Sequence, residues 1–282
     1  MIFKQFGPTG IDVPVLGQGT WDIPERGARL DEAKRAIRRG VELDMVHLDT
    51  AEMYGAGRVE ELLGQAIAGL DRDALFIASK VLPSNAGYAQ TLAACERSLR
   101  RLNVEYLDLY MLHWPGNEPL EETMRALETL VEQGKTRFIG VSNFDVDDLI
   151  EAQTYLRTQR LACDQVLYHL QERGVEHRLI PYCAQHGIAV VAYTPFGRGR
   201  FPRDAVKADG AVGRIAAKHA RTPRQVILNF LTREPNVFTI PKASTVPHVE
   251  ENAGGTGWTL DPSDLAAIDQ AFPSHDAPLA SL

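Results

Sequence analysis

Four residues at the ends of apolar runs carry the chemistry this sequence advertises. Asp49 and Tyr54 lie in Leu48-Asp49-Thr50-Ala51-Glu52-Met53-Tyr54-Gly55, Lys80 closes Ile77-Ala78-Ser79-Lys80, and His113 sits in Leu112-His113-Trp114-Pro115. A carboxylate, a phenol, an ammonium and an imidazole at successive run ends form a proton-handling set. Free tyrosine ionises near pH 10. A buried ammonium beside it favours the phenolate, so Lys80, held by Asp49, is expected to lower that value. His113 would hydrogen-bond the same oxygen. Such a group delivers a proton to an oxygen gaining negative charge. That chemistry needs a nucleophile at carbon, and no Ser-His pair in a GxSxG turn or partnered Cys supplies one. Hydride from a reduced nicotinamide fills the gap. Tyr193 would stack on the nicotinamide ring, with Ser142, Asn143 and Gln165 on its carboxamide. A metal-dependent barrel hydrolase using His47, Asp49 and His113 is a rival, but the other run ends add no further ligands.

The elements that must hold these groups alternate along the chain. Phe3–Phe6 and Val13–Leu16 flank Gly7-Pro8-Thr9-Gly10, a turn sequence that predicts an N-terminal hairpin capping a barrel floor. Val15–Trp21 reads as a first strand. Further strands are expected at Met45–Leu48, Ala74–Val81, Tyr106–Leu112, Phe138–Val141, Ala162–Tyr168, Ile188–Tyr193 and Val237–Ile240. Helices are expected at Asp31–Arg39 with Gly40 as a stop, Arg58–Ala68, Tyr88–Leu102, Leu120–Glu132, Val146–Leu156 capped by Asp145, and Glu176–His186. A loop at Phe196–Pro202 precedes helices at Gly210–His219, Pro223–Arg233, Val246–Ala253 and Pro262–Ala271, the last capped by Asp261. Eight strand–helix units predict an α/β protein. The form expected is one (β/α)8 TIM barrel over residues 1–282, with the hairpin before it and extra helices near the C-terminal end. The open-sheet alternative would show a GxGxxG turn after its first strand. Gly17-Gln18-Gly19 and Gly197-Arg198-Gly199 lack the third glycine leading into a helix.

In a barrel, the C-terminal strand ends share one face, and catalytic groups collect there. Asp49, Lys80, His113, Ser142 with Asn143, Tyr193 and Lys242 fall at those ends, with Gln165 inside the sixth strand.

Composition bounds the function. The chain has 282 residues, 44% hydrophobic and 24% charged, with a formal net charge of -7, which argues against a general nucleic-acid binder. Cys95, Cys163 and Cys183 form no CxxC pair and read as reduced and buried. No apolar run approaches the roughly 18 residues that cross a bilayer, and the N-terminus lacks a signal-peptide pattern. A cytoplasmic, soluble monomer acting on a small molecule is expected.

Over nearly its whole length the chain resembles the aldo-keto reductases, and most of all bacterial members similar to methylglyoxal reductases. The matching motifs, in order, are Gly17–Trp21, Asp49–Gly55, Ser79-Lys80, Leu112–Pro115, Gly140–Phe144, Gln165–His169, Ala192–Gly197 and Ile240–Lys242. The resemblance implies reduction of small aldehydes and ketones, such as methylglyoxal-type dicarbonyls, by hydride from NADPH, with NADH as the alternative. It implies Tyr54 as proton donor, Lys80 and Asp49 tuning it, and His113 orienting the carbonyl. Trp21, Tyr54, His113 and Trp114 would bind substrate, the indoles as apolar walls. It assigns the cofactor to Thr20, Trp21, Asp49, Ser142, Asn143, Gln165 and Tyr193. Thr194, Pro195, Phe196, Gly197 and Arg198 would pass over the pyrophosphate. Ile240, Pro241, Lys242, Ala243, Ser244, Thr245, His248, Glu251 and Asn252 would line the adenosine end. No metal is expected. His248 stands where many NADPH-dependent members have Arg, and imidazole cannot bind a phosphate bidentately. The short segment 114–122 and the brief tail after Phe272 imply an open pocket. The same barrel could also bind NADPH as a redox sensor with little turnover, although a sensor need not keep Asp49, Tyr54, Lys80 and His113.

Overall fold

A computed structural model describes residues 1–24, 27–199 and 203–280. Residues 200–202 of the expected Phe196–Pro202 loop lie outside the described residues. An antiparallel hairpin of β1 (Phe3–Gln5) and β2 (Asp12–Pro14) comes first. Eight parallel strands follow: β3 (Gln18–Gly19), β4 (His47–Asp49), β5 (Phe76–Val81), β6 (Leu107–Leu112), β7 (Thr136–Ser142), β8 (Leu161–Leu167), β9 (Ala189–Tyr193) and β10 (Val237–Thr239). They pair in chain order, and parallel bridges Leu16–Thr239 and Gly19–Lys242 join the first strand to the last. The ring therefore closes, as a sheet buried on both faces requires if no edge is left unpaired.

The helices are α1 (Ala28–Glu42), α2 (Arg58–Ile67), α3 (Tyr88–Leu102), α4 (Leu120–Glu132), α5 (Val146–Tyr155), α6 (Leu179–His186), α7 (Arg203–Val206), α8 (Ala211–Lys218), α9 (Pro223–Leu231), α10 (Val246–Ala253) and α11 (Pro262–Ala271). Asp145, Thr222 and Asp261 each close a capping box at the start of α5, α9 and α11. Their side chains satisfy amide donors that a helix start leaves unpaired.

Strand periodicity sorts side chains into two cores. Phe76 and Ala78 of β5, Leu109 and Met111 of β6, and Val191 of β9 fill the barrel interior. Ile77, Tyr110, Ile139 and Val190 face outward against the helices. Continuing the period of two carries Lys80, His113, Gln165 and Tyr193 into the interior at the C-terminal rim.

The floor is closed by the hairpin turn. The Phe6 ring lies 5.0 Å from both Phe76 and Phe238 and 5.7 Å from His47. Gly7 adopts φ +55°, and a Cβ there would stand 2.1 Å from the Ala162 carbonyl oxygen, so only glycine allows this approach. His47 packs between Phe6 and Phe76 in this layer. Desolvation holds its imidazole down at about 4, so it sits neutral in this apolar layer. Among the described residues no cluster of three metal-ligating side chains exists. No helix is long and apolar enough to cross a membrane, again among the described residues.

Several element ends shift from expectation by one to three residues, and the short helix α7 was not expected; three of the differences have a visible physical cause. Gly40 does not stop α1, which runs on to Glu42. A Cβ at Gly40 would stand 2.2 Å from the Gln18 carboxamide, whose Nε2 donates to the carbonyls of Ile37 and Met45 at 3.2 and 2.9 Å. This glycine serves close packing. The expected Glu176–His186 helix is split, because Arg178 leaves helical backbone geometry and Glu176 is drawn to Tyr168 and Arg173 instead. The first strand pairs continuously only at Gln18–Gly19, since the chain turns away at Asp22 with φ 56°.

Gly40→Ala is a test of that packing. Alanine stabilises an ordinary helix interior relative to glycine. Here it should destabilise by about 1–3 kcal/mol through overlap with Gln18. Urea unfolding would read the sign directly.

Candidate active site

At the rim, β4 and β5 are neighbours, with Asp49 paired in register to Ala78. Lys80 is fully buried, and its Nζ donates to Asp49 Oδ1 at 2.7 Å, to the Thr50 carbonyl at 2.8 Å and to Tyr54 Oη at 3.4 Å. Three acceptors thus satisfy the three ammonium donors. Tyr54 opens a short turn, Tyr54–Gly57, in which Gly55 and Ala56 both take left-handed φ, 57° and 54°. That sharp turn brings the phenol back over Lys80. The His113 ring meets the Tyr54 ring edge-on at 5.8 Å and packs on Trp114 at 4.6 Å.

Burial and charge compete at these groups, and the outcome corrects one expectation. Desolvation pushes the Tyr54 phenol above its ordinary value, and the Lys80 charge only partly opposes it. Burial also works against the Lys80 ammonium, but the Asp49 carboxylate and Tyr54 outweigh it, so its value rises and it stays charged. Desolvation and the Lys80 charge together hold His113 down to about 2, keeping the imidazole neutral; its Nδ1 is buried without a partner. The set is thus a protonated phenol backed by a fixed cation, beside a neutral imidazole.

A second network continues around the rim. Gln165 Nε2 donates to Asp49 Oδ2 at 2.8 Å, so this amide steadies the carboxylate and leaves its own carbonyl for another contact. Thr20 is buried, and its hydroxyl donates to the Asp49 carbonyl at 2.8 Å. Ser142 Oγ donates to the Gln165 carbonyl at 2.7 Å, and Asn143 Nδ2 donates to the His113 carbonyl at 3.0 Å. The Tyr193 hydroxyl donates to Asn143 Oδ1 at 2.7 Å. Asn143 and Thr194, at the ends of β7 and β9, have left-handed φ of 61° and 56°. Non-glycine residues in that region signal backbone held by its surroundings.

These groups open into one cleft of about 1080 Å³. Its lining includes Trp21, Asp49, Tyr54, His113, Trp114, Ser142, Asn143, Gln165 and Tyr193. It continues along Thr194, Pro195, Phe196 and Arg198 to Ile240, Lys242, Ala243, Ser244, Thr245 and His248. Lys80 stands behind the wall. Thr20, Gly197, Pro241, Glu251 and Asn252, also expected at the cofactor, are not among its described lining residues. Gly197 instead lines a small neighbouring recess with His169 and Gln171.

The cleft also holds residues that sequence reasoning missed: Asp22, Arg29, Glu32, Met53 and Arg224. Arg29 and Glu32 belong to α1, and Arg224 to α9, so none sits at a strand end. Trp21 and Met53 are exposed at the rim, 42% and 37%, and the Arg198 guanidinium lies 4.9 Å over the Trp21 ring. A cation over an indole face is attractive, by about 0.5–1 kcal/mol at exposed sites.

Known proteins share this sequence pattern and fold. The family model described as "Aldo/keto reductase family" matches residues 15–272. Methylglyoxal reductase YeaE of Escherichia coli is 42% identical over 264 residues, spanning 94% of this chain and 93% of that protein. Glyoxal reductase of Bacillus subtilis is 36% identical, spanning 92% and 89%. An aldo-keto reductase of Klebsiella pneumoniae crystallised with NADPH superposes with a TM-score of 0.94 at 39% identity, covering all of both chains. Another structure from Klebsiella pneumoniae, with NADP and acetate, gives 0.91 at 40% identity, covering 99% of each. The chain belongs to the aldo/keto reductase family of oxidoreductases.

Proposed function

We propose that this chain reduces small aldehydes and ketones, methylglyoxal-type dicarbonyls among them, to alcohols using NADPH, with Tyr54 as the proton donor. The observation that carries the reading is the Lys80 ammonium, 2.7 Å from Asp49 and 3.4 Å from a phenol on the cleft wall. The kinship with a methylglyoxal reductase and with an NADPH-bound structure supports the substrate class and the cofactor.

The cleft's chemistry fits a nicotinamide dinucleotide phosphate. Beside Tyr54 it offers neutral hydrogen-bonding groups, Ser142, Asn143 and Gln165, and the aromatic face of Tyr193. Near β10 and α10 it offers Lys242 with the hydroxyls of Ser244 and Thr245, suited to an anion. When bound, the reduced nicotinamide supplies the hydride.

The protein's own groups do the rest. Tyr54 holds its proton at Oη and releases it as negative charge grows on the carbonyl oxygen. Lys80 stabilises the phenolate left behind and is anchored by Asp49, so little reorganisation accompanies the step. His113, neutral, donates a hydrogen bond that orients the carbonyl. Trp21 and Trp114 wall the substrate and exclude water from one side.

The assay is NADPH consumption, followed by absorbance, with methylglyoxal and a panel of small aldehydes. NADPH binding without turnover would overturn the reductase reading in favour of a sensing barrel.

The pH profile follows from the same groups. Reduction needs Tyr54 protonated, and its raised pKa keeps it so at neutral pH. His113, at about 2, does not titrate in the working range. For carbonyl reduction, kcat/KM should therefore be flat from about pH 5 to about pH 8, where an ordinary histidine would titrate. It should fall only at alkaline pH, as Tyr54 loses its proton. A sigmoid centred near neutrality would contradict the assignment.

A further inference from the structure

Arg224 is a cleft cation carried by a capped helix start. It sits in the first turn of α9, where Thr222 and Gln225 close a capping box with Pro223 between them. Gln225 Nε2 also donates to the Glu251 carbonyl at 2.9 Å, tying this turn to α10. The Arg224 guanidinium lines the cleft, lies 5.3 Å over the Phe196 ring, and approaches Glu251 at 3.9 Å. Its side chain is 38% exposed. Ser244, Thr245 and His248 line the same cleft, as does Lys242, whose Nζ is 3.5 Å from Ser244 Oγ.

We infer that Arg224 selects the phosphorylated cofactor, by binding the 2′-phosphate that distinguishes NADPH from NADH. This rests on the reading of the cleft as a nicotinamide dinucleotide site. A phosphomonoester is best held by two parallel N–H donors, which guanidinium has and which imidazole and ammonium lack. His248 can give one contact and Lys242 a point charge. Arg224 adds the fork, and the Phe196 ring beneath orients its plane. Its contact with Glu251 is at the outer limit of an ion pair and partly solvated, so that pair is a weak one. A 2′-phosphate takes the guanidinium from Glu251 and is repelled by that carboxylate. A 2′-hydroxyl leaves the Arg224–Glu251 pair intact. The two residues thus act in opposition, Arg224 favouring NADPH and Glu251 restraining that preference.

The test reads binding without turnover. Quenching of tryptophan fluorescence, from Trp21 and Trp114 in the cleft, gives Kd for NADPH and NADH. Calorimetry with adenosine 2′,5′-bisphosphate against 5′-AMP isolates the 2′-phosphate. Arg224→Ala should weaken NADPH and the bisphosphate about tenfold or more while changing NADH and 5′-AMP by less than about twofold. Arg224→Lys should recover part of the loss. Glu251→Gln should tighten NADPH relative to NADH. The NADPH preference of the unaltered protein should shrink as salt rises.

If that protein prefers NADPH and Arg224→Ala weakens both cofactors equally, or neither, the inference is overturned and the reductase reading stands. A protein binding NADH as tightly as NADPH overturns it too. Binding of neither cofactor removes the nicotinamide reading itself, and this inference with it. Unchanged melting temperatures for the Lys and Gln variants keep misfolding from imitating a result.

Discussion

Tyr54→Phe should leave a folded barrel that binds NADPH normally and reduces carbonyls about 10²–10⁴-fold more slowly, the usual worth of a positioned general acid. Only one oxygen is removed. The ring stays against His113, and the turn Tyr54–Gly57 keeps its backbone. Lys80 loses its longest contact, 3.4 Å, but retains Asp49 and the Thr50 carbonyl. The melting temperature should therefore move little, and loss of turnover can be read as loss of the proton. Stopped-flow fluorescence gives the cofactor Kd, and steady-state absorbance gives kcat. Retention of full turnover would end the assignment of Tyr54 as acid.

Lys80→Met strikes both function and fold. Methionine fills much of the lysine stem but leaves the Asp49 carboxylate buried with only the Gln165 amide on its other oxygen. Breaking a buried pair from one side costs about 3–5 kcal/mol, because the remaining charge is uncompensated. The Tyr54 phenol, already raised by burial, loses the one neighbour that opposes the rise, so it becomes a poorer proton donor. Turnover should fall about as far as in Tyr54→Phe. Adding Asp49→Asn should restore much of the lost stability, because no buried charge then remains, and should restore no activity. Urea denaturation with parallel assays separates the two effects. A double variant no more stable than the single one would show that the Lys80–Asp49 charges are not the source of the cost.

The core of the site could be read from the sequence because it follows strand arithmetic. Asp49, Lys80, His113, Gln165 and Tyr193 share the inward phase of their strands, and apolar run ends mark the rim. Period and order alone therefore place them together. What escaped depends on geometry that no run end encodes. Arg224 enters the cleft from the first turn of α9, and Arg29 and Glu32 from α1, where the sequence shows only helix faces. The Tyr54 shift was expected downward, since a neighbouring charge is visible in sequence and desolvation is not. Gly40 resembles a helix stop until the Gln18 side chain is seen against it. The split near Arg178 likewise depends on the distant Arg233, which competes for Glu176 alongside Arg173 and Tyr168.

The floor plug has a consequence for how the chain is made. Phe6 and Gly7 leave the ribosome long before their partners Ala162 and Phe238 exist, and Leu16 must wait for Thr239. Until β10 is synthesised, the N-terminal turn has no complete seat and the ring stands open, with β3 unpaired on one side. Closure joins the two sequence extremes, so it spans the longest sequence separation in the ring and cannot precede the synthesis of β10. An open ring of this kind presents apolar surface and a strand edge to other nascent chains. The same contact that seals the finished barrel thus leaves its growing form with an open strand edge until the last strand is made.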